Sequence, residues 1–74
     1  TVDLDVLDPS AFPGTGTPEA GGVAFDALRA ALMPVLALDV VGFDMVELAP
    51  SLDPTGRSTA LACKLLRECL LKLA

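Results

Sequence analysis

Histidine is absent from this 74-residue chain, cysteine occurs only twice, and five lysines and arginines stand against ten acids. The formal net charge of −5 argues against a phosphate backbone or an anionic lipid surface as partner and favours cationic ligands. No apolar run approaches the ~20 residues needed to cross a bilayer, and no basic segment leads into an apolar one with a cleavage site. No nucleic acid and no membrane are expected as partners, and a cytoplasmic location is the expectation. Cys63 and Cys69 lie six apart on one expected helix, about 240° from each other around its axis, so they cannot pair within it. They read as two buried small hydrophobes in a reducing compartment.

Seventy-four residues allow one small domain at most, with a core near the lower limit of self-sufficiency. Hydrophobic residues make up 53% of the chain, more than this length can bury, so surfaces left open here are expected to pack against further strands and helices. The first residue, Thr1, leads straight into an alternating segment, and the chain is therefore expected to begin inside a longer protein.

Four elements follow in the order strand, helix, strand, helix. Residues 1–6 alternate as a strand, and residues 8–22, with three prolines and four glycines, read as a long structured loop. Asp8 is expected to hydrogen-bond the turn, and Gly14, Gly16, Gly21 and Gly22 to supply unusual φ or close approach. Val23 to Met33 is helical in pattern, with Phe25, Leu28 and Leu32 on one face, a weak start at Ala24 and an end at Pro34.

Residues 38–46 form a nearly continuous apolar run expected to be a central parallel strand, within which Asp44 should meet a buried partner or orient a ligand. A turn through Pro50, Asp53, Pro54 and Gly56 precedes a last helix capped by Ser58 or Thr59 and running to about Leu73. Its apolar face is Leu61, Ala62, Leu65, Leu66, Cys69, Leu70 and Leu73, with Lys64–Glu68 and Glu68–Lys72 pairs on the solvated side. The βαβα order implies an open parallel α/β sheet with right-handed crossovers.

Chemistry begins at Asp3 and Asp5. Two apart on a strand, their carboxylates would face one side roughly 6–7 Å apart, at the C-terminal end where open α/β sheets place ligand sites. Such oxygen ligands suit a hard divalent ion such as magnesium, calcium or manganese. The segment continues as Asp-Leu-Asp-Val-Leu-Asp-Pro and then Pro-Gly-Thr-Gly-Thr-Pro-Glu-Ala-Gly-Gly through Gly22. With Gly42-Phe43-Asp44-Met45-Val46-Glu47 and Pro50 downstream, it resembles the ureohydrolase family of arginase, agmatinase, guanidinobutyrase, proclavaminate amidinohydrolase and formimidoylglutamase.

The resemblance implies a βαβα fragment of a three-layer α/β/α parallel-sheet, arginase-like fold, with residues 1–74 as the C-terminal part of a single ureohydrolase domain. It implies two manganese ions whose bridging hydroxide attacks a guanidinium or formimidoyl carbon. Asp3 would bridge both ions and Asp5 bind one, while Glu47 would accept hydrogen bonds from the guanidinium fork and hold its carbon over the nucleophile. Thr17 matches a position lining the same pocket. Asp3 and Glu47 are thus the candidate catalytic residues, Asp3 and Asp5 the metal ligands, and Thr17 and Glu47 the substrate-binding ones. An intact parent would be a homo-oligomer acting on a small guanidino or formimidoyl substrate.

The family's metal site also uses histidines and further aspartates from segments upstream of this region, so the 74 residues alone are expected to be inactive. An agmatinase- or arginase-like specificity is favoured by the Gly-Thr-Gly-Thr-Pro loop, while Asp53-Pro54-Thr55-Gly56-Arg57 also matches formimidoylglutamases. Outside the family, Asp3 and Asp5 could be the nucleophile and acid of a haloacid-dehalogenase-like phosphatase. That reading needs a lysine beside paired acids, and Lys64 and Lys72 lie instead on the amphipathic last helix. A calcium loop lacks its third acid and glycine, with Leu7 and Asp8 in those places. A non-catalytic interaction module leaves the Pro-Gly-Thr-Gly-Thr-Pro run without a purpose.

Overall fold

The structure is a computed structural model that describes all 74 residues. Two short parallel strands, β1 (Val2–Asp3) and β2 (Met45–Val46), pair with Val2 opposite Met45 and Asp3 opposite Val46. Helix α1 (Phe25–Leu36) connects them, and α2 (Arg57–Leu73) follows the second strand and packs on α1. The α/β order strand, helix, strand, helix is the one expected.

The first strand is shorter than its alternation implies. The Asp3 carboxylate accepts the Asp5 N–H at 3.1 Å, and the chain tightens into a 3-10 turn over Leu4–Val6 that closes with Leu7 N–H on the Leu4 carbonyl. A short acidic side chain here competes with the sheet ladder for the backbone. The turn also changes which residues face inward: Val2, Leu4 and Leu7 are buried, while Val6 is exposed.

Residues 38–44 form no strand, contrary to expectation. A buried parallel strand needs ladder partners on its flanks, and here only Met45 and Val46 find one, in β1. Val41 is 97% exposed and Leu38 70%. Asp44 is exposed rather than buried, its carboxylate taking a hydrogen bond from the Thr1 hydroxyl at 3.2 Å.

Helix α1 begins without a side-chain cap at Ala24, as expected, and Asp26 in its first turn suits the helix dipole. It does not stop at Pro34 but runs two residues further. Proline's fixed φ is helical, and Ala30, whose carbonyl loses a donor, lies on the exposed side. The end tightens through Ala37 N–H to Pro34 and Leu38 N–H to Val35.

On α2 the buried line is Ser58, Ala62, Leu65 and Cys69, narrower than the expected face. Leu66, Leu70 and Leu73 are exposed. Neither Lys64 nor Lys72 pairs with Glu68, which instead meets Arg29 of α1 at 3.4 Å. Such a half-exposed pair contributes no more than about 1 kcal/mol. Cys69 is buried, and burial, with Glu68 adding to it, pushes its thiol pKa up. Cys63, contrary to expectation, is exposed and lines an apolar cleft of about 170 Å³ with Leu4, Met45, Leu48, Ala62 and Leu66.

The core is Val2, Leu4, Leu7, Phe12, Leu36, Ala62, Leu65 and Cys69. Phe12, fully buried, comes from the long loop. No helix is long and apolar enough to cross a membrane.

Candidate functional site

The candidate residues gather at the C-terminal edge of the two-stranded sheet. Asp3 is the last residue of β1 and Asp5 sits in the turn after it, so the two acids are related by a turn and not by the pleat of a strand. Thr17 reaches back from the loop, and its hydroxyl donates to Asp5 Oδ2 at 2.8 Å. Asp3 Oδ1 is engaged by the Asp5 N–H. The second oxygen of each carboxylate takes no hydrogen bond from the chain.

Glu47 leaves β2 one residue beyond Val46, the partner of Asp3. Its side chain is exposed and makes no hydrogen bond to Asp3, Asp5 or Thr17, but its backbone is unusual. At φ 77° it is the one non-glycine residue with positive φ. Backbone strain of this kind costs about 1–2 kcal/mol and persists only where the surroundings impose it.

Two carboxylates in series offer hard oxygen donors, which fits part of the shell of a divalent ion such as manganese. No group of three or more histidine, cysteine, aspartate or glutamate side chains is placed to hold a metal. Asp3 and Asp5 therefore fit as part of a site and not as a whole one. Beside Asp5 lies a cavity of about 400 Å³ lined also by Val6, Glu19, Ala20, Gly21, Gly22 and Val23.

The loop carrying Thr17 is fixed at both ends. At one end Asp8 accepts from the backbone and hydroxyl of Ser10 and from the N–H groups of Gly21 at 3.1 Å and Gly22 at 3.3 Å. Gly21 has positive φ, and Gly22 lies against the backbone of residues 6–8; Gly16 shows neither feature, contrary to expectation. At the other end the Gly14 N–H donates to the Ser58 hydroxyl at 2.8 Å. Thr15 next to it is buried, and its hydroxyl is the one buried side-chain oxygen without a partner.

Sequence reasoning placed Asp53 in a turn but missed its role at the start of α2. The residue capping α2 is Gly56, at φ 76°, and neither Ser58 nor Thr59 makes a cap bond. Buried Asp53 accepts from the N–H and hydroxyl of both Thr55 and Ser58, at 2.6–3.0 Å. The signal available was Asp-x-Thr-x-x-Ser ahead of a helix, an acid able to satisfy first-turn N–H groups.

These bonds set a pH dependence. The hydroxyls of Ser58 and then Thr55 hold the Asp53 carboxyl well below the usual range, and Ser10 chiefly lowers Asp8. Each group's folded pKa lies below the 3.8 of the free side chain. Their contribution is therefore complete above about pH 4 and is lost as pH falls further. Thermal melts by circular dichroism are expected to hold steady from pH 7 to about 5 and drop below about 4, with Asp53→Asn flattening most of the drop. A melting temperature unchanged down to pH 2 would contradict this.

Comparison with known proteins gives a consistent set of relatives. The sequence pattern of the Arginase family matches residues 1–72. An agmatinase of Halalkalibacterium halodurans is 47% identical over 73 residues, covering 96% of this chain and 25% of the relative. Proclavaminate amidinohydrolase of Streptomyces clavuligerus superposes with a TM-score of 0.89 at 42% identity, over 97% of this chain and 24% of that one. Formimidoylglutamase of Bacillus subtilis gives 0.88 at 33% identity, over 97% and 23%. The chain thus spans about a quarter of the length of the relatives it matches.

Proposed function

The chain belongs to the arginase family, and from that premise we propose that it carries part of a dinuclear manganese site hydrolysing a guanidinium C–N bond. Agmatine or arginine is the preferred substrate class. The observation that carries the reading is the Thr17–Asp5 hydrogen bond. It joins the Gly-Thr-Gly-Thr-Pro loop to the acidic strand end, at the edge where Glu47 emerges. The similarity to a formimidoylglutamase keeps a formimidoyl substrate as the second reading.

The chemistry that two manganese ions supply when bound is acidification of a water for attack on the amidine carbon. Asp3 and Asp5 would hold the ions through oxygen donors. The remaining ligands would come from chain outside these 74 residues. Thr17, donating to Asp5, keeps one carboxylate oxygen engaged and so fixes the direction of the other. Glu47 would face the planar guanidinium with paired, charge-assisted hydrogen bonds and set the carbon's position.

Manganese titration of the 74-residue chain, followed by paramagnetic broadening of amide signals, tests this. Weak binding, on the order of 1 mM for so few ligands, is expected to centre on residues 3–5 and vanish in Asp3→Asn/Asp5→Asn. Urea release from agmatine or arginine is expected to be negligible. Broadening spread evenly over the exposed acids Asp26, Asp39 and Asp44 would refute the metal site, and robust turnover would refute its incompleteness.

A further inference from the structure

We propose that Ser58 is a positioning residue for the guanidinium subsite, acting through Gly14, which ties the Thr17 loop to the segment after Glu47. The inference rests on the reading of Thr17 and Glu47 given above. Ser58 is fully buried in the first turn of α2. Its hydroxyl donates to Asp53 Oδ2 at 2.6 Å and accepts from the Gly14 N–H at 2.8 Å. Because its one proton goes to Asp53, the hydroxyl presents a lone pair to Gly14 in a fixed direction.

Gly14 then reaches the other arm of the site. Its carbonyl accepts the Ala49 N–H at 2.7 Å. Thr17 lies three residues beyond Gly14, and Glu47 two residues before Ala49. Across such short spans a shift at Gly14 must reappear at both side chains. The approach is as close as a backbone allows: a Cβ on Gly14 would lie 2.7 Å from the Ser58 Cβ and 2.9 Å from its oxygen.

The strained backbone at Glu47 explains what this anchor does. A residue at φ 77° relaxes unless both flanks are held. One flank is the β1–β2 ladder ending at Val46, and the other is the Gly14–Ala49 hydrogen bond. Recognising a planar guanidinium needs a carboxylate in one orientation, and a misplacement of about 1 Å can cost on the order of 100-fold in rate. Ser58 reaches no substrate itself. It holds the two arms in register.

Nuclear magnetic resonance on the 74-residue chain tests this with two variants. Ser58→Ala removes the Gly14 anchor, whereas Thr55→Ala removes a hydroxyl that bonds Asp53 Oδ1 and the Arg57 N–H at the start of α2 but leaves Ser58 between Asp53 Oδ2 and the Gly14 N–H. In Ser58→Ala, exchange of the Gly14 and Ala49 amides is expected to quicken about tenfold, the worth of one hydrogen bond. The backbone couplings that report φ at Glu47 are expected to leave their positive-φ values, and the Thr17 side chain to populate more than one rotamer. Thr55→Ala is expected to change neither Glu47 nor Thr17.

Unchanged couplings at Glu47 and Thr17 in Ser58→Ala, or equal changes in Thr55→Ala, would overturn the proposal. Should Ser58→Ala fail to fold, the unsubstituted chain decides. A shared opening rate for the Gly14 and Ala49 amides supports the link, and separate rates overturn it. Manganese broadening at Asp3 and Asp5 is read in the same samples. Its absence would count against the metal reading alone, while the couplings still decide the role of Ser58.

Discussion

A Gly22→Ala chain is expected to lose about 3 kcal/mol of stability, the upper range for a methyl group forced against atoms that cannot give way. A Cβ there would meet the Asp8 nitrogen at 2.5 Å, the Leu7 carbonyl carbon at 2.6 Å and the Val6 oxygen at 2.7 Å. All three are backbone atoms, so no side chain can swing aside. They also belong to the contact that holds the loop shut, where Val23 N–H bonds the Val6 carbonyl and Asp8 N–H bonds the Val23 carbonyl. Gly16→Ala is the control. Nothing lies within 4 Å of its added Cβ, and a change within about 0.5 kcal/mol is expected. Urea midpoints for the two variants should therefore differ widely, and equal midpoints would show that the loop gives way.

Phe12→Ala should be at least as damaging. Removing a buried phenylalanine side chain typically costs about 3–5 kcal/mol. A domain of this length has roughly 4–11 kcal/mol to lose, and burial of only 12 of 74 residues puts this one at the low end. The variant is expected to be largely unfolded at 25 °C, with the near-native circular dichroism spectrum gone. Phe12→Leu, which keeps most of the volume, should fold and lose no more than about 1.5 kcal/mol. A cooperative melt for Phe12→Ala within a few degrees of the unsubstituted chain would refute this account of the core.

The helices were legible because their information is local. Phe25, Leu28 and Leu32 recur at helical spacing, and all three pack against the core. Ala62, Leu65 and Cys69 do the same from α2. The strands were legible only where a partner exists within the chain. The apolar run 38–46 carries strand propensity throughout, yet propensity without a ladder leaves residues 38–44 outside the sheet, apart from the Asp44 carbonyl, which accepts the Val2 N–H. Alternation over residues 1–6 was misleading for a different reason: the carboxylate of Asp3 captures the backbone two residues on.

At the site, the acids and Thr17 were singled out by their motif, and geometry adds the bond between Thr17 and Asp5. The supports of the site were illegible. Nothing in the local pattern says that Ser58 meets Gly14, 44 residues away. Phe12 was hidden likewise, as an aromatic inside a loop rich in proline and glycine, where no periodicity marks it as core.

The left-handed backbone of Glu47 sets stability against the proposed chemistry at one position. Glycine or asparagine would adopt φ 77° with less strain, so improvement of this chain for thermal tolerance alone would choose one of them at residue 47. Either choice deletes the carboxylate. A search that ranks substitutions by folding free energy would thus favour erasing the group proposed to grip the substrate.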